Sequence, residues 1–169
     1  MIASADYDVA GAEGPSETAL CRLQDGRLFA VFRLKARRPY AKAWSEDDGH
    51  TWTTPVVMEG MCSVQPRMLV MENGTLVLVG GRPGIHVWVD RHGLGERWEH
   101  VDVTEIHNRL VPAEPITRPN QTSAYTDVAE IDGENLLYLY DRIPCGWDPV
   151  PEESTDTNSV WAMKLTIAS

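Results

Sequence analysis

The sequence predicts an all-β fold, because one plan of strands and turns occurs three times along the chain. Each copy has an apolar strand, a turn containing glycine, and a second apolar strand that ends in arginine; the copies cover 17–33, 65–82 and 125–142. Their turns are Asp-Gly or Asn-Gly pairs, which favour short hairpins because glycine readily adopts a positive φ. Little else in the chain has the periodicity of a helix, so we expect strands to provide its regular structure.

A third strand follows each hairpin and aligns on a tryptophan. These strands cover 40–45, 85–90 and 159–164, and they carry Trp44, Trp88 and Trp161 in that order. Because the tryptophans share one repeat position, we expect them to pack in the core rather than stack on a ligand. The units recur every ~45–60 residues with four short strands each, a spacing typical of propeller blades.

The octapeptide at 45–52 reads S-x-D-x-G-x-T-W and predicts a tight hairpin turn. Ser45 and Asp47 can accept hydrogen bonds from backbone N–H groups. Gly49 can adopt a positive φ, and Trp52 can anchor the turn on the layer beneath it. The turn explains its acidic residues without a calcium ion.

A degraded copy of this turn is predicted at 90–98, where a glycine and Trp98 remain but the Ser-x-Asp pair is lost. The Pro-rich stretches 112–119 and 144–151 are interpreted as loops between strands, because the repeat resumes after each. The residues 6–15 are interpreted as a loop entered from elsewhere.

The three repeats predict one domain, 1–169, that contains about three four-stranded blades at approximately 16–60, 63–104 and 123–167. Propellers typically close with four to eight blades. Three blades would leave apolar faces and strand edges uncovered. The chain is therefore expected to be the C-terminal piece of a longer propeller, or to pair with another copy or another chain.

The composition excludes several function classes. The chain has 169 residues and a net charge of −10, which argues against nucleic acids and anionic membranes as partners. No apolar run is long enough to span a membrane, and no signal peptide is visible, so the compartment is not predicted. The cysteines and histidines lack metal-ligand spacing, so we expect half-buried thiols, no metal site and no cofactor.

Functional groups fall at matching places in the repeats. Glu17, either Gln65 or Pro66, and Tyr125 lie near the start of the first strand of each unit, while Arg33, Arg82 and Arg142 end the second strands. The first strand of a propeller blade lines the central channel, so these side chains are candidates for one shared pocket. The alternative is structural: arginines in ion pairs, a solvated glutamate, and a tyrosine bonded to the backbone.

The sequence resembles the bacterial sialidases, exo-α-sialidases of the Asp-box β-propeller class. The resemblance covers roughly residues 15–167 and corresponds to the second half of a six-bladed propeller. It is carried by the octapeptide at 45–52, the E-x-x-x-x-L-x-D-G-R-L…R pattern at 17–33, GGRPG at 80–84, and S-A-Y-T at 123–126.

The resemblance implies roles for five residues. Tyr125 matches the nucleophile and Glu17 the base that activates it, while Arg33 matches one arginine of a triad that grips the sialic acid carboxylate. Arg82 and Arg142 are further candidates for that triad. A neutral tyrosine is suited to this reaction because the substrate's own carboxylate would repel a carboxylate nucleophile.

The resemblance is incomplete, since the family's first triad arginine and its aspartate acid/base have no match. Asp6 and Asp8 do not stand in the right context to replace that aspartate. The chain on its own is therefore expected not to hydrolyse sialosides. Two alternatives remain open: a non-catalytic propeller that binds glycans or proteins, and a truncated or degenerate product with no activity.

Overall fold

A computed structural model describes residues 15–34 and 38–167. The predicted loop at 6–15 lies almost entirely outside this part of the chain, as do Asp6, Asp8 and residues 168–169. No helix within the described residues has the length and apolar character needed to cross a membrane.

Three antiparallel sheets follow one another along the chain. The first sheet contains β1 (Ser16–Arg22), β2 (Leu28–Arg33), β3 (Tyr40–Ser45) and β4 (Val56–Met58), and the second contains β5 (Val64–Val70), β6 (Leu76–Gly81), β7 (Ile85–Asp90) and β8 (Glu99–Asp102). The third contains β9 (Asp127–Asp132), β10 (Asn135–Arg142) and β11 (Ser159–Thr166). Within each sheet, every strand pairs with the next one in sequence, as the repeats predict.

The hairpins turn at the predicted glycines. Gly26 and Gly74 have φ angles of 91° and 90°, values that cost glycine little because it has no Cβ. In the first turn, the N–H of Gly26 donates to the carbonyl of Leu23 at 3.0 Å; in the second, the N–H of Gly74 donates to Met71 at 2.9 Å.

The core lies between the sheets, which pack face to face. Alternate residues of β2 and β6 fill the space between the first and second sheets, around Phe29, Leu78 and Trp88. A second cluster joins the second and third sheets, with Val79 and Tyr138 completely buried in it. Trp44, Trp88 and Trp161 all contact these clusters, which confirms that they serve packing.

The octapeptide forms the hydrogen bonds that its sequence predicts. The hydroxyl of Ser45 accepts a bond from the Gly49 N–H at 2.9 Å, and the Asp47 carboxylate accepts bonds from the N–H and hydroxyl of Thr51 at 2.8 and 2.6 Å. Trp52 packs on the apolar face of the first sheet.

The turn at 90–98 is organised by the carboxylate of Asp90, a role that the sequence pattern did not predict. Asp90 takes the place of Ser45 at the end of the third strand and is completely buried. One carboxylate oxygen accepts a bond from the N–H of His92 at 2.9 Å, and the other accepts one from Glu96 at 2.9 Å.

Two expectations about the elements are wrong. The third sheet has three strands in the described residues, not four, because no strand there pairs with the free edge of β11. The chain also contains a helix, α1 (Val103–Leu110). Asp102 caps it by accepting a hydrogen bond from the N–H of Glu105 at 3.1 Å, and its acidic first turn adds to that stabilisation.

The outer face of the third sheet exposes several apolar side chains. Leu136 and Tyr138 of β10 point into the core, so Leu137 and Leu139 point outward, where they are joined by Val160 of β11. In the first two sheets, the face turned toward the next sheet is covered by that sheet.

Candidate functional site at the strand ends

Four non-glycine residues with left-handed backbone conformations cluster where the first strands begin and the second strands end. Their φ angles are 45° at Glu17, 50° at Gln65, 47° at Arg82 and 82° at Ala124. This conformation costs a non-glycine residue about 1–2 kcal/mol, and such strain concentrates at functional sites. β1 lies against β5, and β5 against β9, so these ends share one edge. We call the group at this edge the rim site; it consists of Glu17, Arg33, Gln65, Arg82 and Tyr125.

Glu17 links the first two sheets through both of its carboxylate oxygens. One oxygen accepts a hydrogen bond from the Arg33 guanidinium at 2.7 Å, and the other accepts one from the Gln65 N–H at 2.8 Å. Strand pairing is irregular at Glu17 and again beside Gln65. Such bulges redirect side chains at sheet edges. The structure thus brings Glu17 and Arg33 together.

Arg82 follows β6 and adds a second arginine to the rim. Its N–H donates to the carbonyl of Gly84 at 2.6 Å, and its carbonyl accepts a hydrogen bond from the N–H of Val64 at 3.0 Å, beside Gln65. Its guanidinium lies 4.9 Å from the ring centroid of Trp147. Within the described residues it has no ion-pair partner, so its N–H donors face no competing carboxylate.

Two glycines of β6 allow the sheets to approach at the rim. A Cβ at Gly80 would overlap the hydroxyl of Ser63, and a Cβ at Gly81 would lie 2.9 Å from the Cα of Ala124. The GGRPG segment therefore has a packing reason for its first two residues, since a side chain at Gly80 would displace Ser63 and Tyr40, and one at Gly81 would displace the segment before β9.

Tyr125 reaches the rim from the segment before β9. This segment is held by Asp141, whose carboxylate accepts hydrogen bonds from the Thr122 hydroxyl at 2.7 Å and the Ser123 N–H at 2.8 Å. The Tyr125 side chain is 67% exposed. Its hydroxyl makes no hydrogen bond with any residue that the structure describes. The structure shows no hydrogen bond between Tyr125 and Glu17, whose two carboxylate oxygens are bonded to Arg33 and Gln65.

Arg142 serves a different purpose from the other arginines. It is only 3% exposed, and its guanidinium forms a two-point ion pair with Asp156, with both contacts at 2.7 Å. The Arg142 hydrogen bond holds the pKa of the Asp156 carboxyl below its ordinary value. Arg142 also donates to the carbonyl of Pro115 at 3.3 Å. These contacts connect two long loops and leave the guanidinium engaged.

Sequence reasoning missed two parts of the site. The first is the Gln65 N–H, which depends on backbone geometry rather than residue type. The second is Trp147, a large aromatic residue among the turn formers Gly146, Asp148 and Pro149, a pattern that could have identified it. In the described part of the chain, no group of three or more histidine, cysteine or acidic residues is arranged to hold a metal ion.

Chemically, the rim combines two arginines, a glutamate and exposed aromatic rings. Guanidinium groups bind carboxylates through paired hydrogen bonds. Arg82 has no ion-pair partner among the described residues, in a chain whose net charge is −10. Hydroxyl groups of a sugar could bond to Glu17, and apolar C–H faces could contact Tyr125 or Trp147.

Comparison with protein-family models and with curated protein sequences finds no match. Solved structures do match. A protein of unknown function from Dyadobacter fermentans aligns with a TM-score of 0.65 and 16% identity over 95% of this chain and 40% of its own. An α-L-arabinanase from Penicillium chrysogenum, complexed with arabinobiose, aligns with a TM-score of 0.58 and 15% identity over 90% of this chain and 46% of its own.

An intramolecular trans-sialidase from the leech, complexed with 2,7-anhydro-Neu5Ac, aligns with a TM-score of 0.55 and 17% identity over 89% of this chain and 23% of its own. This chain thus spans less than half the length of each of these proteins. At these identities the likeness concerns the fold. The three sheets of this chain match part of the β-propeller fold of glycosidases that act on different sugars.

Proposed function

We propose that this chain provides one side of the sugar-binding site of a sialidase-like glycoside hydrolase. The observation that supports this most directly is the rim site, where strained backbone at Glu17, Gln65 and Arg82 lies at the same edge as a glutamate–arginine pair, an exposed tyrosine, and a second arginine that has no ion pair among the described residues. The solved glycosidases with the same sheet arrangement are consistent with this proposal.

In this proposal, Arg33 and Arg82 bind the carboxylate of a terminal sialic acid. Tyr125 is the nucleophile that attacks the anomeric carbon, and Glu17 accepts the proton of its hydroxyl. For this, the Glu17 carboxylate must exchange one of its present partners for Tyr125. The carboxylate of the substrate provides a reason for this exchange, since it can replace Glu17 as the anion paired with Arg33. Arg142 has a structural role.

The binding step is tested by isothermal titration of the chain with N-acetylneuraminic acid. We expect Arg33→Met and Arg82→Met each to weaken binding about tenfold, because each removes a charge-assisted hydrogen bond. Arg22→Met is the matched control: it removes the same charge from an exposed ion pair with Asp48. Equal affinity in all four proteins would overturn the assignment of the two arginines.

The catalytic step is tested with a fluorogenic sialoside. We expect no turnover by the 169-residue chain, because it lacks a match to the acid that protonates the leaving group. In the gene product expressed at its native length, Tyr125→Phe should abolish sialoside release, and Glu17→Gln should lower it by more than about 100-fold. Full activity of the Tyr125→Phe protein would remove Tyr125 from the mechanism.

A second candidate function is a propeller that binds a glycan or a protein without catalysis. It is favoured by the occupied carboxylate of Glu17 and the unpaired hydroxyl of Tyr125 within the described residues. This function predicts affinity for acidic sugars that does not change in the Tyr125→Phe protein, together with no hydrolysis at any length of the gene product.

A further inference from the structure

Trp147 is an exposed tryptophan in a well-anchored loop. Its side chain is 62% exposed, whereas every other tryptophan of the chain is buried or half-buried. A tryptophan in water forgoes the large favourable free energy that burying its ring would contribute. Nothing in the packing of the three sheets requires this ring to face solvent.

The loop that carries Trp147 is held by the neighbouring segment 118–121. The nearly buried carboxamide of Gln121 donates a hydrogen bond to the carbonyl of Pro144 at 2.6 Å, and Arg118 donates to the same carbonyl at 3.0 Å. Next to the ring, Gly146 has a φ of 61°, and a Cβ there would lie 3.0 Å from the Asn120 side chain. The ring is therefore positioned before any ligand arrives, which lowers the entropic cost of binding.

Arg82 covers one face of the ring and is itself fixed. The guanidinium stacks 4.9 Å from the ring centroid, and the backbone of Arg82 is bonded to Gly84 and Val64. A guanidinium that lies over an indole is attracted electrostatically to the negative face of the ring. The N–H donors at the edge of the guanidinium remain available to another partner. The pair thus presents an aromatic surface next to a cation that has no ion pair in the described chain.

Arg82 belongs to the rim site and connects Trp147 to it. Arg82 directly follows Gly81, which packs against the Cα of Ala124, the neighbour of Tyr125. A ligand that contacts Tyr125 therefore lies close enough to extend toward Trp147. The combination of a flat apolar surface and convergent N–H donors fits a pyranose ring, which has an apolar C–H face and polar substituents at its edge.

We propose that Trp147 and Arg82 form a saccharide subsite, in which the part of the indole that Arg82 leaves exposed contacts a sugar ring beside the guanidinium and Arg82 binds the carboxylate or hydroxyl groups at the edge of that ring. This assignment rests on the proposed function, since the saccharide is the acidic sugar that the rim site receives. It adds a specificity-determining residue, Trp147, that acts through stacking rather than through charge.

The test measures the affinity of the chain for N-acetylneuraminic acid and for D-glucuronic acid, with both titrations followed by tryptophan fluorescence and by calorimetry. We expect Trp147→Ala to weaken binding about three- to tenfold, the range for a stacked aromatic pair. Trp147→Phe, which keeps a smaller ring, should lose less. Leu110→Ala is the matched control, because it also truncates an exposed apolar side chain, 65% exposed on α1, and should leave affinity unchanged.

The two proposals fail in different ways. If the folded wild-type chain binds the acids and Trp147→Ala binds them equally well, the subsite is wrong and the proposed function stands. If the folded wild-type chain binds neither acid, the proposed function is contradicted and the subsite with it. Far-ultraviolet circular dichroism of each variant confirms that the comparison is made between folded proteins.

Discussion

At the scale of single residues, the arginines at the ends of the second strands differ in the partners that their guanidinium groups contact. Arg33 is paired with Glu17 at the rim, Arg82 stacks on Trp147, and Arg142 is buried against Asp156. The position of an arginine at the end of a second strand does not determine its role. The local supply of carboxylates decides whether its guanidinium stabilises the fold or can receive a ligand.

Replacing Arg142 with methionine should lower the free energy of unfolding by about 2 kcal/mol, because it removes a two-point charged hydrogen bond and leaves the carbonyl of Pro115 without its donor. Urea denaturation measures the change. Replacing Arg22, whose ion pair with Asp48 is exposed, should cost less than about 1 kcal/mol. Equal losses in the two variants would show that the buried pair does not contribute more than the exposed one.

At the scale of elements, the hairpins and turns depend on side chains that bond to their own backbone. The turn after β3 is organised by Asp47, and the turn after β7 by Asp90. The hydrogen bond from the Thr51 hydroxyl, with that from its N–H, lowers the pKa of Asp47 from its ordinary value of 3.8 to about 2. The turn is therefore most stable when this carboxyl is ionised.

The Asp47→Asn protein should melt a few degrees below the wild type at pH 7, since the amide cannot accept the same bonds as the carboxylate. A carboxyl whose pKa is lowered in the folded state stabilises it above the unfolded pKa and loses that contribution as the pH falls through the folded value. The difference in melting temperature should narrow between pH 4 and pH 2. A difference that stays constant over this range would exclude ionisation of Asp47 as its source.

The strands, hairpins and packing tryptophans could be predicted from the sequence because their signals are local. Apolar alternation, Asn-Gly or Asp-Gly turns and repeated spacing act within about ten residues. The helix α1 was missed because it is short and follows a strand directly, although its capping Asp102 and Glu105 are visible in the sequence. The role of Asp90 was missed because it stands where the other turn has a serine.

The site could be predicted only in part. Glu17 and Arg33 lie on paired strands, so their meeting follows from the hairpin register. Arg82 follows a strand of the second sheet, whereas Trp147 lies in the long loop between two strands of the third. No local sequence pattern specifies the contact between them. The N–H of Gln65 binds Glu17 because of a bulge, which the residue types do not reveal.

At the scale of the whole molecule, the second sheet packs between the first and the third, and the outer face of the third exposes apolar side chains. Leu137, Leu139 and Val160 are exposed there on neighbouring strands. The equivalent faces of the first and second sheets are each covered by the next sheet. Exposed apolar side chains of this kind favour association, and we expect the chain to pair with a second copy through this face.

Sedimentation velocity across the micromolar range should detect this association. Salt should strengthen it, because salt screens the repulsion between two copies that each carry a net charge of −10. Leu139→Lys should yield a monomer that keeps its fold, since Leu139 is already partly exposed. A chain that stays monomeric at every concentration and salt level would show that the exposed face does not mediate pairing.

The central claim is that residues distant in sequence form one saccharide site at the strand ends of the three sheets. Nuclear magnetic resonance tests it directly, through titration of the labelled chain with N-acetylneuraminic acid while the backbone N–H of Gln65, the Nε–H groups of Arg33 and Arg82, and the indole N–H of Trp147 are followed. The account predicts that all four signals shift together with a single dissociation constant. The shared site would be contradicted if the four signals shifted with different dissociation constants, or if some of them shifted and others did not.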